Sequence, residues 1–436
     1  MRAPSSILLI DYYYSPKVTA STIWWTAILE AWAARGCSVD VVTSAGPHLP
    51  RREIINGVDV HRVGGYVSET LRQFGLGEKR RRSQRAATQS NGKALLSSII
   101  RSIYRMTWRK VHWPDNACVW YRPARQAAMR LAQANIYEAV VTVAPPFTAH
   151  LVGLAIAKRC KQVRWVAATG NSFSFDPLPP NNQVLYRRMN TRAEGEVLRT
   201  ADAFVVQNRE LRARYATLYP DCARKLWFVP PLAVAPPAAK IARLQVKDKI
   251  TIVYAGSLSQ QLSNPSFLLK LFRELIESGL LSDAELHFLG NPANCLSLFR
   301  PYRRMLGRSL FLHGIVARDE AMKALSNATI LANIGNGSPY NIPNKVFEYM
   351  ALGKPILNIV RCDRDPSSGP LQNYPAVLNI KETSGAIATE DLARVASFVL
   401  EPPPLDPMVL SWLRDNYGIE KVCDSYTEII QSVALC

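Results

Sequence analysis

The sequence predicts an α/β protein built from two doubly wound, Rossmann-like domains. Three observations lead there. Strand-like apolar runs alternate with helical patterns from one end of the chain to the other. The runs are continuous rather than alternating, as in parallel strands buried on both faces. And 436 residues exceed what one ordinary core accommodates.

In the first half, strands are expected at 7–11 (ILLID), 38–44, 58–63, 139–144, 163–168 and 203–207, with helical stretches between most of them. The segment VPPLAVAPPAAK (229–240) is rich in Pro and Ala and has no periodicity, so it reads as linker. The pattern restarts with ITIVYAGS (250–257), a helix over 265–278, strands at 284–290 and 310–316, a helix over 319–327 and a strand at 329–335. The expected division is therefore a first domain over 1–232, a linker over 233–247, a second domain over 248–405 and a C-terminal helix over 406–436. That helix is expected to pack back on the first domain. Right-handed crossovers and a hinge put a cleft between the domains, with ligands beyond the strand C-termini.

No apolar run approaches the ~20 residues that span a bilayer, and the N-terminus reads as a strand rather than a leader. The expected location is cytoplasmic. The eight cysteines are scattered, with no CxxC and no Cys/His cluster, so neither a disulfide framework nor a zinc site is expected. The formal charge of +19 is concentrated in 79–112, which holds ten Lys/Arg and no acid. Such a balance seeks polyanions. Within the same stretch Leu95/Leu96, Ile99/Ile100 and Ile103/Tyr104 recur at helical spacing. This predicts a basic amphipathic insertion lying on the cytoplasmic face of an anionic membrane, with Trp108 at the interface. It lacks the aromatic platforms and reader modules of a nucleic-acid binder, so no nucleic-acid partner is expected.

Three loops follow strands and are candidate sites. DYYYSPKVTAS leads into a helix whose N-terminus offers free N–H groups to an anion, making Thr19, Ala20 and Ser21 an acceptor or phosphate loop. In YAGSLSQQLSNP, Gly256 and Ser257 permit close approach of backbone to ligand. NIGNGSPYNIPNKVFEYM carries Gly335 and Gly337 into a helix that Asn341 is expected to cap, with Pro343 in the first turn and Gly353 at its end. On this helix Val346, Phe347, Met350 and Ala351 form an apolar stripe, while Lys345, Glu348 and Leu352 share the opposite face. A lysine at a helix start suits a diphosphate, and a carboxylate one turn on can accept two sugar hydroxyls. His150 is expected in a polar loop after a strand, and His313 at a strand edge.

These residues resemble a known family. PNKVFEYMALGKPIL is similar to the P-x-K-x-x-E-Y-x-A-x-G-K-P signature of retaining GT-B glycosyltransferases of the family 4 type, the glycosyl transferases group 1. PDNACVWYRPARQAAMRL, APPFTAHLVGLAIAKR, AEGEVLRTADAFVVQNRELRARY and IVYAGSL follow in the family's order. The resemblance implies a GT-B fold and transfer, with retention, from a UDP- or GDP-linked sugar, a co-substrate rather than a cofactor. The acceptor would be lipid-linked or a glycan in cell-surface polysaccharide or glycolipid synthesis.

By the same resemblance Glu348 holds the donor ribose, and Lys345 with Gly256, Ser257, Asn336, Tyr340, Asn341, Ile342, Pro343 and Asn344 surrounds the diphosphate and sugar. His150 lies near the transferred sugar or acceptor, so His150, Lys345 and Glu348 are the catalytic candidates. No metal is expected, because no DxD-type pair appears. Three departures stand out: Tyr340 replaces an acid eight positions before Glu348, SQQLSNP replaces basic residues, and ATGNSFSFDP keeps only Asp176. An inactive GT-B scaffold of such a pathway would show these departures. An enzyme would keep the Lys345/Glu348 pair.

Overall fold

A computed structural model describes residues 2–17, 19–64, 111–233 and 249–434. The predicted insertion up to residue 110, and the linker from 234 on, lie outside the described residues. The chain divides into two compact units, Met1–Val229 with Cys423–Cys436, and Pro230–Val422.

The first domain holds an eight-stranded sheet in the order β3-β4-β2-β1-β5-β6-β7-β8. The strands are β1 Ser6–Ile10, β2 Ser38–Ser44, β3 Arg52–Ile55, β4 Val58–Val63, β5 Ala139–Ala144, β6 Trp165–Thr169, β7 Ala203–Val206 and β8 Leu226–Phe228. All pairs are parallel except β3–β4, a hairpin whose turn residues Asn56 and Gly57 both have positive φ, +48° and +84°. That is the backbone a two-residue turn matching strand twist requires. Strands β5, β6 and β7 are buried at every position, which is why they carry unbroken apolar runs.

Helices α1 (Ala20–Ala34), α2 (Tyr121–Ala134), α3 (Thr148–Arg159), α4 (Gln183–Thr200) and α5 (Arg209–Leu218) belong to this sheet. Helix α1 buries Trp24, Trp25, Ile28, Leu29 and Trp32.

The second domain holds six parallel strands in the order β11-β10-β9-β12-β13-β14. These are β9 Ile250–Ala255, β10 Ala284–Leu289, β11 Leu310–Gly314, β12 Ile330–Ile334, β13 Ile356–Val360 and β14 Val377–Lys381. Its helices are α6 (Ser266–Glu277), α7 (Arg318–Asn327), α8 (Lys345–Ala351), α9 (Thr389–Leu400) and α10 (Pro407–Tyr417). One sheet face packs Phe267, Leu268, Leu271 and Phe272 of α6 against Tyr254 and Phe288. The other packs Val346, Phe347 and Met350 of α8 with Leu325, Tyr374 and Leu413.

The single helix expected over 406–436 is two helices, because Gly418 breaks it: α10, and α11 at Ile419–Ala434. From Cys423 onward α11 packs on the first domain, with the Tyr426 ring 4.9 Å from that of Trp25 and Gln431 Nε2 donating to Arg2 O.

Candidate functional site

In each sheet the strand order reverses at one place, between β1 and β5 in the first and between β9 and β12 in the second. Such switch points open a crevice beyond the strand C-termini.

In the second domain the loops leaving β9 and β12 flank this point. Gly256 follows β9 with φ +148°, its N–H donating to Leu289 O at 2.7 Å. A Cβ there would lie 2.6 Å from Lys345 Nζ, so the turn must be glycine for the lysine to reach it. Gly290 beside it has φ +129°, and a Cβ would lie 2.4 Å from Gly256 O. Backbone therefore rests on backbone across β9 and β10, leaving a narrow floor under Lys345. The Lys345 ammonium donates to Tyr254 OH at 2.5 Å and stands 3.9 Å from that ring's centroid. Tyr349 OH accepts the Ala255 N–H at 2.9 Å and ties α8 to the end of β9. Ser257 is exposed at the rim.

The segment after β12 folds on itself. Asn336 Nδ2 donates to Asn341 O at 2.6 Å, Ser338 Oγ to Asn341 Oδ1 at 3.2 Å, and Tyr340 N to Ser338 Oγ at 3.3 Å. Asn341 is therefore not the helix cap that the sequence suggests, since its side chain is engaged within its own loop. Helix α8 starts at Lys345, with Asn344 in the cap position and no side-chain cap bond. Asn344 Oδ1 is buried with no partner among the described residues. Pro343 lies just outside the helix, its carbonyl accepting the Val346 N–H at 3.1 Å, and Ile342 packs on the core beside α8.

Glu348 Oε1 accepts from both terminal nitrogens of Arg318, at 3.3 and 3.2 Å. The glutamate is 27% exposed and the arginine 39%. Lys345 and Glu348 thus have different neighbours, the turn after β9 and the start of α7. Leu352, expected on their face, is buried instead. Behind the loop an amide ladder crosses the sheet, Asn333 Nδ2 to Asn358 Oδ1 at 2.6 Å and Asn358 Nδ2 to Asn379 Oδ1 at 2.7 Å.

In the first domain the loop after β1 is clamped. Tyr12 O accepts Ser44 Oγ at 2.7 Å, Arg62 Nη2 donates to Ser15 O at 2.8 Å, and Lys17 Nζ to Ser44 Oγ at 2.7 Å. Thr19 caps α1, its hydroxyl accepting the Thr22 N–H at 3.0 Å, so Ala20 and Ser21 open the helix as its first residues. Asp11, which sequence reading passed over, is fully buried at the end of β1. Its Oδ2 has no partner among the described residues, and burial pushes its carboxyl up to about 8.

His150 is not in a polar loop. It sits in the first turn of α3, 1% exposed, because Asp115 draws the helix start inward by accepting Thr148 N at 2.9 Å and Thr148 Oγ1 at 2.7 Å. His150 Nδ1 lies 2.8 Å from Thr142 Oγ1, which also accepts the Trp165 indole N–H at 2.9 Å. Nε2 is buried with no partner among the described residues, and burial holds the imidazole down to about 3. His150 is thus held as a buried, neutral imidazole.

Beside it Phe147 stacks on Phe173 at 3.8 Å. The loop carrying Phe173 is held by Glu194 of α4, which accepts Phe173 N at 2.7 Å, Tyr215 OH at 2.5 Å and the Ser174 hydroxyl. Asp176 accepts the Leu178 N–H at 2.7 Å and closes a turn there.

Among the described residues Asp40, Asp59 and His61 lie close enough to share a metal ion. Each already has a partner. Asp40 Oδ1 is 2.8 Å from His61 Nε2, Tyr137 OH donates to Asp40 Oδ2, and Arg52 grips Asp59 through two nitrogens. These bonds satisfy the group without an ion.

Two parallel-sheet α/β domains and a C-terminal helix returning to the first make this the GT-B fold of glycosyltransferases. No family model matches the sequence, and no curated protein matches it. Among solved structures the chain is similar to a UDP-forming α,α-trehalose-phosphate synthase from Burkholderia xenovorans (TM-score 0.63, 11% identity, 99% of each chain covered). It is also similar to the catalytic domain of starch synthase IV from Arabidopsis thaliana bound to ADP and acarbose (TM-score 0.60, 9% identity, 100% of each chain). A third is a sucrose-phosphate synthase from Thermosynechococcus elongatus (TM-score 0.56, 14% identity, 99% of this chain and 96% of that one). At these identities the likeness carries the fold.

Proposed function

We propose that the chain is a retaining glycosyltransferase of the family 4 type that takes a sugar from a UDP- or GDP-linked donor. The observation that carries this is the seat of α8 at the β9/β12 switch point, with Lys345 over the Gly256 turn and Glu348 one helical turn further on. Neighbours that are UDP-forming or bound to ADP support a nucleotide ligand.

In this reading Lys345 and the backbone at Gly256, Ser257, Asn341 and Ile342 hold the diphosphate. Asn336, Tyr340, Pro343 and Asn344 shape the sugar end, and Glu348 takes the ribose hydroxyls. The leaving diphosphate takes the acceptor's proton. The protein's work is then to position the reactants and stabilise charge on phosphate oxygens, which suits a lysine more than a general base. His150 stands behind the sugar or acceptor end as a buried group, and Thr19, Ala20 and Ser21 receive the acceptor.

The acceptor is a lipid-linked or glycan hydroxyl of a cell-surface polysaccharide or glycolipid pathway, presented at the cytoplasmic membrane face where residues 79–112 adhere. Among the described residues no helix is long and apolar enough to cross a membrane. A non-catalytic scaffold is the second reading, favoured by Tyr340 and by the loop after Ser257.

A panel of nucleotide sugars scored by thermal shift tests the proposal, since a ligand of the folded state raises Tm. A UDP- or GDP-sugar should stabilise the protein, and Glu348→Ala should weaken that donor at least ~10-fold, the effect of one lost charged hydrogen bond. Stabilisation by none of them refutes the proposal. Binding without turnover on any acceptor supports the scaffold.

A further inference from the structure

The end of the connection from β6 and the first turns of α4 carry a surface that neither site uses. Residues 177–192 read PLPPNNQVLYRRMNTR, with three arginines and no acid. Val184 is 99% exposed and Leu185 58%, with Leu178 and Met189 more than two-fifths exposed. Arg187, Arg188 and Arg192 are exposed among them.

This is not a loose loop. Tyr186 OH donates to Val111 O at 2.5 Å, Asn181 Nδ2 to Pro114 O at 2.6 Å and Trp113 Nε1 to Asn190 Oδ1 at 3.0 Å. Val111, itself 54% exposed and next to the last residue of the stretch 79–112, therefore stands beside α4. Trp113 and Pro114 also wall an apolar groove of about 380 Å³ with Tyr121, Leu151 and Leu154.

Large apolar side chains held in water on a fixed helix mark an interaction surface. Charge of a single sign, on exposed arginines interspersed with those apolar groups, selects an anionic partner. Side chains that enter an acyl boundary while guanidinium groups stay among phosphates fit a bilayer surface.

We propose that this face, Leu178, Val184, Leu185 and Met189 with Arg187, Arg188 and Arg192, docks the first domain on an anionic lipid bilayer. It deepens the reading of a membrane-presented acceptor and rests on that reading for its purpose, though not for its test. The face lies on the first turns of α4, directly after the loop that carries Phe173, so docking would bring a lipid-borne acceptor to the side of the domain where His150 lies.

The test is sedimentation of the full chain with vesicles of phosphatidylcholine alone, or with roughly 30 mol% phosphatidylglycerol, at low and high salt. The expected result is recovery with anionic vesicles only, weakened by salt. The pairs Val184→Asp/Leu185→Asp and Arg187→Glu/Arg188→Glu should each lower partitioning at least ~10-fold, while the donor's thermal shift stays intact. Wild-type partitioning in both variants overturns the proposal and places any adhesion in 79–112. Recovery of the wild type with neither vesicle overturns it too. So does a large fall in Tm of the aspartate variant without lipid, which would mean that protein covers this face. Loss or retention of donor binding in Glu348→Ala bears on the transferase reading alone.

Discussion

Replacing His150 with Gln should change how the first domain's stability responds to acid. The folded imidazole is held near 3, against an ordinary value of 6.5, by burial alone. Between those values the unfolded chain binds a proton that the folded chain refuses. Stability from this group is complete above about 6.5 and declines as pH falls, by about 1.4 kcal/mol per unit. From about pH 6.5 to about pH 5 this group's own contribution falls by about 2 kcal/mol, a contribution that His150→Gln lacks.

Asp11 acts with opposite sign. Its folded carboxyl keeps a proton up to about 8, so its contribution fades as pH rises above 3.8. Wild type should therefore look nearly flat across this window, and the variants separate the two slopes. Asp11→Asn should expose the histidine's acid sensitivity, and His150→Gln the aspartate's. Urea unfolding followed by tryptophan fluorescence reads the relevant domain, because eight of nine tryptophans precede residue 230. A wild-type-minus-His150→Gln difference that does not move between the two pH values refutes the buried neutral imidazole.

Arg318→Ala should weaken donor binding only ~2- to 5-fold, below the effect of Glu348→Ala, because a partly exposed ion pair is worth ~1 kcal/mol or less. Isothermal titration decides it, and an equal or larger loss would make Arg318 itself a ligand contact. Gly290→Ala should destabilise the second domain by about 2 kcal/mol or more, since a side chain at φ +129° would strike Gly256 O. Chemical denaturation within ~0.5 kcal/mol of wild type would refute that.

Much of the fold is legible in the sequence because its strands are buried on both faces. The runs at 38–44, 58–63 and 139–144 coincide with β2, β4 and β5. Strand β3 was missed, because its charged, half-exposed residues hide it from an apolar search, although the Asn-Gly turn between Ile55 and Val58 marks its end. Three-residue β8 is too short for any periodicity.

In the candidate site, strand-end glycines and the helix of Lys345 and Glu348 were readable as local pattern. Their supports were not. Tyr254 meets Lys345 across 91 residues, Tyr349 meets Ala255 across 94, Arg318 meets Glu348 across 30, and Asp115 reaches Thr148 across 33. Such partners exist only once the sheet is assembled. His150 was misplaced for a related reason. Pro145 and Pro146 suggest an open loop, whereas Asp115, outside that segment, starts the helix at once.

The amide ladder of Asn333, Asn358 and Asn379 also bears on how β12, β13 and β14 find their alignment. Apolar strands such as ILANI and ILNIV slide past one another at little loss of burial, so oil-like contacts alone specify their offset weakly. The asparagines occupy matched positions in all three. A slip of β13 by one residue would set Leu357 or Ile359 against Asn333 and strand buried amides, each at a cost of about 1–3 kcal/mol. The ladder thus acts as a key against misaligned sheets during folding, and Asn358→Leu should enlarge the misfolded fraction on refolding more than it lowers the stability of correctly folded molecules.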